Sequence, residues 1–233
     1  MKRVLSRMLV VGGLVLGTTA VFPSIAADAP APAAKPDAGK GEQLYTNGDQ
    51  ARGVIACASC HGAAGSSTIP TNPNLAAQAH EYLAKQLGDF QLKQGATTPL
   101  RSGAGGNPTP MTAIVQSLTP QDMQNIALYL SQQQLKEPAT AGQKSLVERG
   151  QTIWRAGLPD RNVPACASCH SANAAGIPAQ YPRLSGQFPS YIEEQLKLFQ
   201  EGSRNNSEPM HEIASRMTLE DIKAVSDYAA GLR

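Results

Sequence analysis

Apolar residues recur along this chain at steps of three and four. Leu83, Leu87 and Phe90 fall on one helical face, and so do Ile192, Leu196 and Phe199, the spacing of helices that lie on a core. Thr119-Pro120-Gln121-Asp122 and Thr218-Leu219-Glu220-Asp221 read as N-caps with acidic first turns, each opening the last helix of a segment. No alternating strand pattern with paired turn signals occurs, so the predicted fold is all-α. The long apolar run from Met8 to Val21 follows Lys2, Arg3 and Arg7 and precedes Ser24-Ile25-Ala26. This is the layout of a secretory signal peptide over residues 1–26. A retained membrane anchor is the alternative, although the run is short for a bilayer span.

The helical pattern is written twice. Displacing the sequence by 109 residues places Gly41 on Gly150, Tyr45 on Trp154, "PNLAAQ" from Pro73 on "PRLSGQ" from Pro182, and "YLAKQLGDFQ" from Tyr82 on "YIEEQLKLFQ" from Tyr191. The first copy then carries ten extra residues in a Gly/Pro-rich stretch. At a shift of 99, "MTAIVQSLTPQDMQNIALYL" from Met111 falls on "MHEIASRMTLEDIKAVSDYA" from Met210. Two copies of one domain are therefore predicted, over 41–133 and 144–233. The Ala/Pro-rich residues 27–40 read as a flexible lead-in, and 134–143 as a linker.

Composition adds two constraints. Only 5% of the residues are aromatic, so two cores of about a hundred residues each need help from something other than side chains. Three of the 20 Lys and Arg lie in the leader, leaving 17 against 18 Asp and Glu, a net charge of −1. No basic patch remains to suggest nucleic acid.

All four cysteines are spent on one pentapeptide, "CASCH", at Cys57–His61 and again at Cys166–His170. Two cysteines three apart on one helical turn can each reach a vinyl group on a porphyrin edge, and a histidine at the next position can meet the iron. This is the attachment signature of a c-type haem. Cys57, Cys60, Cys166 and Cys169 would form the thioethers, and His61 and His170 would be axial ligands. A thioredoxin-like dithiol needs a βαβ setting that these helical repeats lack. A zinc site needs a fourth ligand at matching positions, and a disulfide has no need of an adjacent histidine. Two buried haems would also replace the missing aromatic core.

The other axial position decides whether such an iron carries electrons or binds a reactant. Met111 and Met210 occupy the same position in the two copies and are the candidates, with shared core packing as the competing explanation. Met123 and Met217 lack a methionine at the matching position and read as core. The histidines His80 and His211 are rivals, but they align with Pro189 and Thr112 and are not duplicated.

Paired "CASCH", a P-x-L twelve residues after each histidine, and Met followed by L/M-T-x-x-D/E and a final helix together resemble the dihaem cytochromes c4, two fused class I cytochrome c domains, over residues 41–233. The resemblance implies helices folded around one covalent haem in each half, His/Met axial pairs and a pseudo-twofold arrangement. It also implies that the carbonyls of Pro73 and Pro182 accept hydrogen bonds from the ligand imidazoles, and that the first helix crosses the last at Gly41 near Tyr129 and at Gly150 near Tyr228. The longer loop from Ala96 to Pro110 departs from the second copy and leaves the seat of Met111 less defined than that of Met210. The expected function is that of a periplasmic electron carrier and not an enzyme, soluble or loosely membrane-associated, and monomeric. The resemblance names a quinol-oxidising cytochrome bc complex as donor and a terminal oxidase as acceptor. The alternatives are an electron-transfer subunit docked on a dehydrogenase, or a dihaem oxidoreductase such as a thiosulfate dehydrogenase or peroxidase.

Overall fold

Five helices appear in order and then appear again. The computed structural model describes residues 34–233, which form one compact unit; the leader at 1–26 lies outside them. The first half contains α1 (Ala38–Asn47), α2 (Ala58–His61), α3 (His80–Phe90), α4 (Pro110–Val115) and α5 (Pro120–Ser131). The second contains α6 (Val147–Ala156), α7 (Ala167–His170), α8 (Pro189–Gln200), α9 (Glu208–Ala214) and α10 (Leu219–Gly231). Among the described residues there is no β-strand beyond isolated bridges, so the all-α, internally duplicated fold read from the sequence is the observed one.

The lead-in expected to run to residue 40 ends earlier. Asp37 caps α1, its carboxylate accepting from the Lys40 amide at 3.1 Å, while its own amide donates to Asn125 Oδ1 at 2.8 Å. Composition alone gave no weight to this cap, which converts Ala38–Lys40 into the first helical turn.

The first and last helices of each half cross at a glycine. A Cβ on Gly41 would lie 2.0 Å from the Asn125 carbonyl oxygen, and one on Gly150 would lie 2.4 Å from that of Ala224 and 2.6 Å from Tyr228 Cβ. Asn125 and Ala224 are equivalent in the repeat, so both crossings use the same register; the first sits one turn ahead of Tyr129. Each last helix opens with a capping box, the Thr119 and Thr218 amides donating to Asp122 and Asp221 at 2.9 Å. Equivalent arginines secure these caps: Arg52 meets Asp122 at 2.7 Å and Arg161 meets Asp221 at 2.6 Å, with Arg149 also bonded to Asp221. Burial alone would raise the Asp221 pKa, but Arg161, Thr218 and Arg149 hold it down to about 2.

Each half has its own apolar cluster. Tyr45, Val115, Ile126 and Leu130 are buried in the first, and Ile153, Trp154, Ile222 and Val225 in the second. Met123 and Met217, only 5% exposed, are core in both.

The halves meet through polar groups. Asn74 N donates to Gln187 Oε1 at 2.9 Å, and Gln187 Nε2 donates back to the Asn74 carbonyl at 2.9 Å. The mirror pair is Arg183 N to Gln78 Oε1 at 2.9 Å and Gln78 Nε2 to the Arg183 carbonyl at 3.1 Å. Asn74 corresponds to Arg183 and Gln78 to Gln187, so this is one contact made twice about a pseudo-twofold axis. A second symmetric contact pairs arginines. Arg101 stacks on Phe90 and Arg204 on Phe199, each 4.3 Å from the ring centre. Arg101 bonds to Gln86 at 3.0 Å and to Tyr191, while Arg204 bonds to Gln195 at 2.8 Å and to Tyr82 at 3.1 Å. From Phe90 to Arg101 is eleven residues, against five from Phe199 to Arg204; Arg101 precedes Met111 by ten, against six from Arg204 to Met210. The ten-residue excess thus divides into six before this arginine and four after it.

The segment expected as a linker is bonded to the second half: Ala139 N donates to Gly186 O at 3.0 Å, and the amides of Gly142 and Gln143 donate to the Asp227 carboxylate at 2.8 and 3.2 Å.

Gly150→Ala is expected to destabilise the protein by about 1–3 kcal/mol through overpacking, whereas Gly88→Ala should stabilise it by about 0.5–1 kcal/mol, because a Cβ there meets only Met123 Sδ at 4.0 Å. Denaturation midpoints of the two variants check this. The folded pKa of Asp221 lies below the free value, so its contribution is complete above 3.8 and disappears as pH falls towards about 2. Asp221→Asn should remove that limb of the acid-denaturation curve.

Candidate functional site

Each CASCH forms a single helical turn. The amides of His61 and His170 donate to the carbonyls of Cys57 and Cys166 at 2.9 Å, and those of Cys60 and Cys169 to the same carbonyls at 3.2 Å. In both copies, therefore, one turn presents two thiols and an imidazole. Gly62 ends the first turn at φ 74°, where a Cβ would lie 2.1 Å from the Ser66 carbonyl oxygen. Ser171 makes the same turn at φ 69°, its hydroxyl donating to Gly176 O at 2.9 Å.

An aromatic donor from the first helix of each half secures the chain just past the histidine. Tyr45 Oη donates to Gly62 O at 2.7 Å, and Trp154 Nε1 donates to Ala172 O at 3.1 Å. The repeat aligned these two residues, yet their role as tethers was invisible because a phenol and an indole share only the ability to donate from a buried ring.

The imidazoles are buried and each meets a carbonyl. His61 Nδ1 is 3.0 Å from Pro73 O, and His170 Nδ1 is 3.0 Å from Pro182 O. A carbonyl can only accept, so Nδ1 carries the proton and Nε2 keeps its lone pair. Burial lowers both pKa values against a small opposing pull from the proline carbonyls, and Arg101 lowers that of His61 further. Both rings are thus held neutral, the form that binds a metal. Burial pushes the Cys57 thiol up to about 11 and the Cys166 thiol up to about 12. These are thiols suited to bond formation with a vinyl group held against them, without the lowered pKa of a redox-exchange dithiol. Among the described residues no group of three or more His, Cys, Asp or Glu side chains converges to hold a bare ion. A porphyrin supplies four nitrogens of its own, so one imidazole and two thiols per half fit a covalent haem.

The methionines lie at the starts of short helices. Met111 is half-buried at the beginning of α4 and packs on the first cluster, which Cys57 and Leu87 also border. Met210 is half-buried in α9, and Ile213, one turn later, packs on the second cluster beside Cys166 and Leu196. The rival histidines are engaged by backbone: His80 Nε2 with Gln124 O at 3.1 Å, and His211 Nδ1 with Phe199 O at 2.7 Å. The second site has a neighbour that the first lacks. Tyr181 packs edge-on against His170 with ring centres 5.7 Å apart, where the first half has Asn72, which donates to the Cys60 carbonyl at 3.0 Å.

Several residues around the sites escaped the sequence reading. Gln78, Gln187, Arg101 and Arg204 are polar, buried and shared between halves. The signal for the glutamines was present: Gln78 and Gln187 are identical at matched positions, as are Gln86 and Gln195 one turn after the matched Tyr82 and Tyr191.

The cytochrome c family model matches residues 38–134 and, separately, 147–232. Cytochrome c4 of Azotobacter vinelandii is 39% identical over 195 residues, 81% of this chain and 91% of the relative. A thiosulfate dehydrogenase electron acceptor of Stutzerimonas stutzeri is 32% identical over 199 residues, 84% of this chain and 87% of the relative. The crystal structure of reduced recombinant cytochrome c4 from Pseudomonas stutzeri is similar with a TM-score of 0.70 at 31% identity, covering 85% of this chain and 100% of that one.

Tyr45→Phe is expected to cost about 0.5–1.5 kcal/mol, because the bond from the buried Tyr45 ring to the half-buried Gly62 carbonyl is lost. Chemical denaturation of the holoprotein, followed at the haem absorption band, measures this.

Proposed function

The chain belongs to the cytochrome c family as a two-domain, two-haem protein of the cytochrome c4 type, and we propose that it works as a periplasmic electron carrier between a quinol-oxidising cytochrome bc complex and a terminal oxidase. Its domains are the helical sets α1–α5 and α6–α10, its leader is taken as the export signal, and its working form as a monomer. The haems supply two one-electron ferric/ferrous couples. Cys57, Cys60, Cys166 and Cys169 would anchor them, and His61 with Met111 and His170 with Met210 would hold the two irons.

The observation that carries this reading is the duplicated neutral imidazole, oriented by the carbonyls of Pro73 and Pro182, combined with a methionine at one matched position in each half. A thioether on the iron favours the reduced state and leaves no coordination position for a reactant. The chain then needs to hold its ligands still through an oxidation-state change, which lowers the reorganisation that electron transfer must overcome. The first and last helices, which frame the ligand-bearing turns of each half, are locked by the glycine crossings and by the Arg52–Asp122 and Arg161–Asp221 pairs.

A second reading concerns the donor. The similarity to a thiosulfate dehydrogenase electron acceptor, nearly end to end, supports electron receipt from a periplasmic dehydrogenase of that class in place of the bc complex. The two readings share the same axial ligands and differ in the docking partner. Reduction rates measured with each purified donor separate them.

Optical spectra of single variants test the ligand sets. Met111→Ala and Met210→Ala should each abolish the sulfur-to-iron absorption of one haem and let that haem alone bind carbon monoxide. Ready binding of carbon monoxide by either haem of the unaltered, native protein would defeat the carrier reading in favour of a catalytic one.

A further inference from the structure

The hydrogen bond from His61 ends on a peptide group whose other end lies in the opposite half's grasp. The Pro73 carbonyl and the Asn74 N–H belong to one planar peptide unit. Its oxygen accepts from His61 Nδ1 at 3.0 Å, and its N–H donates to Gln187 Oε1 at 2.9 Å. In the other direction, the unit formed by Pro182 and Arg183 accepts from His170 Nδ1 at 3.0 Å and donates to Gln78 Oε1 at 2.9 Å. Each chain of bonds thus starts on an imidazole of one half and ends on a glutamine of the other.

We propose that Gln78 and Gln187 are crossed positioning residues, each fixing and polarising the peptide that holds the ligand histidine of the opposite domain.

The glutamines are built for this. Both are buried, 7% exposed. Each carboxamide oxygen also accepts the next residue's amide in its own chain, Ala79 N at 3.2 Å and Phe188 N at 3.1 Å, at the starts of α3 and α8. Each carboxamide nitrogen closes a second bond across the interface, to the carbonyls of Arg183 and Asn74. Such a side chain cannot rotate without breaking several buried bonds and leaving buried carbonyl and N–H groups without partners, which is costly. An acceptor on the N–H of a peptide makes its carbonyl a better acceptor, since linked hydrogen bonds polarise one another. A better acceptor on Nδ1–H makes the imidazole a stronger donor at Nε2. A stronger imidazole donor favours ferric iron, so each glutamine lowers the reduction potential of the haem in the other half. The potentials of the two haems are therefore set partly by the domain interface.

The inference rests on His61 and His170 being the axial imidazoles. Proton spectra of the oxidised holoprotein test that separately, because only coordinated rings carry large paramagnetic shifts. The decisive experiment measures both midpoint potentials in holoprotein carrying Gln187→Leu, Gln78→Leu, or Gln187→Glu, with the Nδ1–H resonances of His61 and His170 recorded in the reduced state. Gln187→Leu should raise the potential of the first haem and move the His61 Nδ1–H signal; Gln78→Leu should do the same for the second haem and His170. Gln187→Glu keeps an acceptor on Asn74 N–H and should not raise the first potential. A Leu variant whose effect falls on the haem of its own half, falls equally on both, or is absent would overturn the proposal. So would Leu and Glu variants shifting the first potential upward together, since that is the result of simple loosening.

Discussion

The bond between each buried imidazole and a proline carbonyl is the constraint on which the sites are built. It fixes which ring nitrogen carries the proton, and with that which nitrogen has a lone pair to give. It also fixes the distance in sequence between the CASCH turn and the P-x-L segment, because the intervening loop must return the carbonyl to within 3.0 Å in both copies. Proline suits the position: it has no N–H of its own to satisfy in a crowded interior. The rest of each half is arranged to keep the turn and the carbonyl in place, through Tyr45 or Trp154 behind the turn and the glycine crossing of first and last helices beyond it.

Duplication has produced an interface out of the same parts. P-x-L segments, which inside each half orient a histidine, face each other across the pseudo-twofold axis and trade side-chain amides. The arginine pair shows how the two copies diverged without losing this symmetry. Arg101 and Arg204 cannot be aligned at a single shift, because insertions of different length surround them, yet each stacks on the equivalent phenylalanine and bonds to the equivalent glutamine and tyrosine. The geometry at this contact was kept while the chain around it was rebuilt.

Much of this was legible before any coordinates. Helix periodicity at Leu83, Leu87 and Phe90, the capping sequences at Thr119 and Thr218, and the register of the repeat all act locally or by direct comparison of one half with the other, and the helices follow them. The chemistry of CASCH depends on spacing within one turn, so it too could be read from letters. The start of α1 was misjudged because a single aspartate outweighed the Ala/Pro-rich composition around it. The cross-half bonds of Gln78, Gln187, Arg101 and Arg204 lay out of reach for another reason: a buried polar residue reads as a surface residue until its distant partner is known.

The segment that joins the halves is stitched onto the second by Gly186 and Asp227. Lys136 N, three residues before Ala139, donates to Ser66 Oγ of the first half at 3.1 Å, so the connection is pinned at both ends and only the stretch between Lys136 and Ala139 is left to hinge. What looks in the sequence like a tether serves as a strap, and it leaves the two halves little freedom to swing apart.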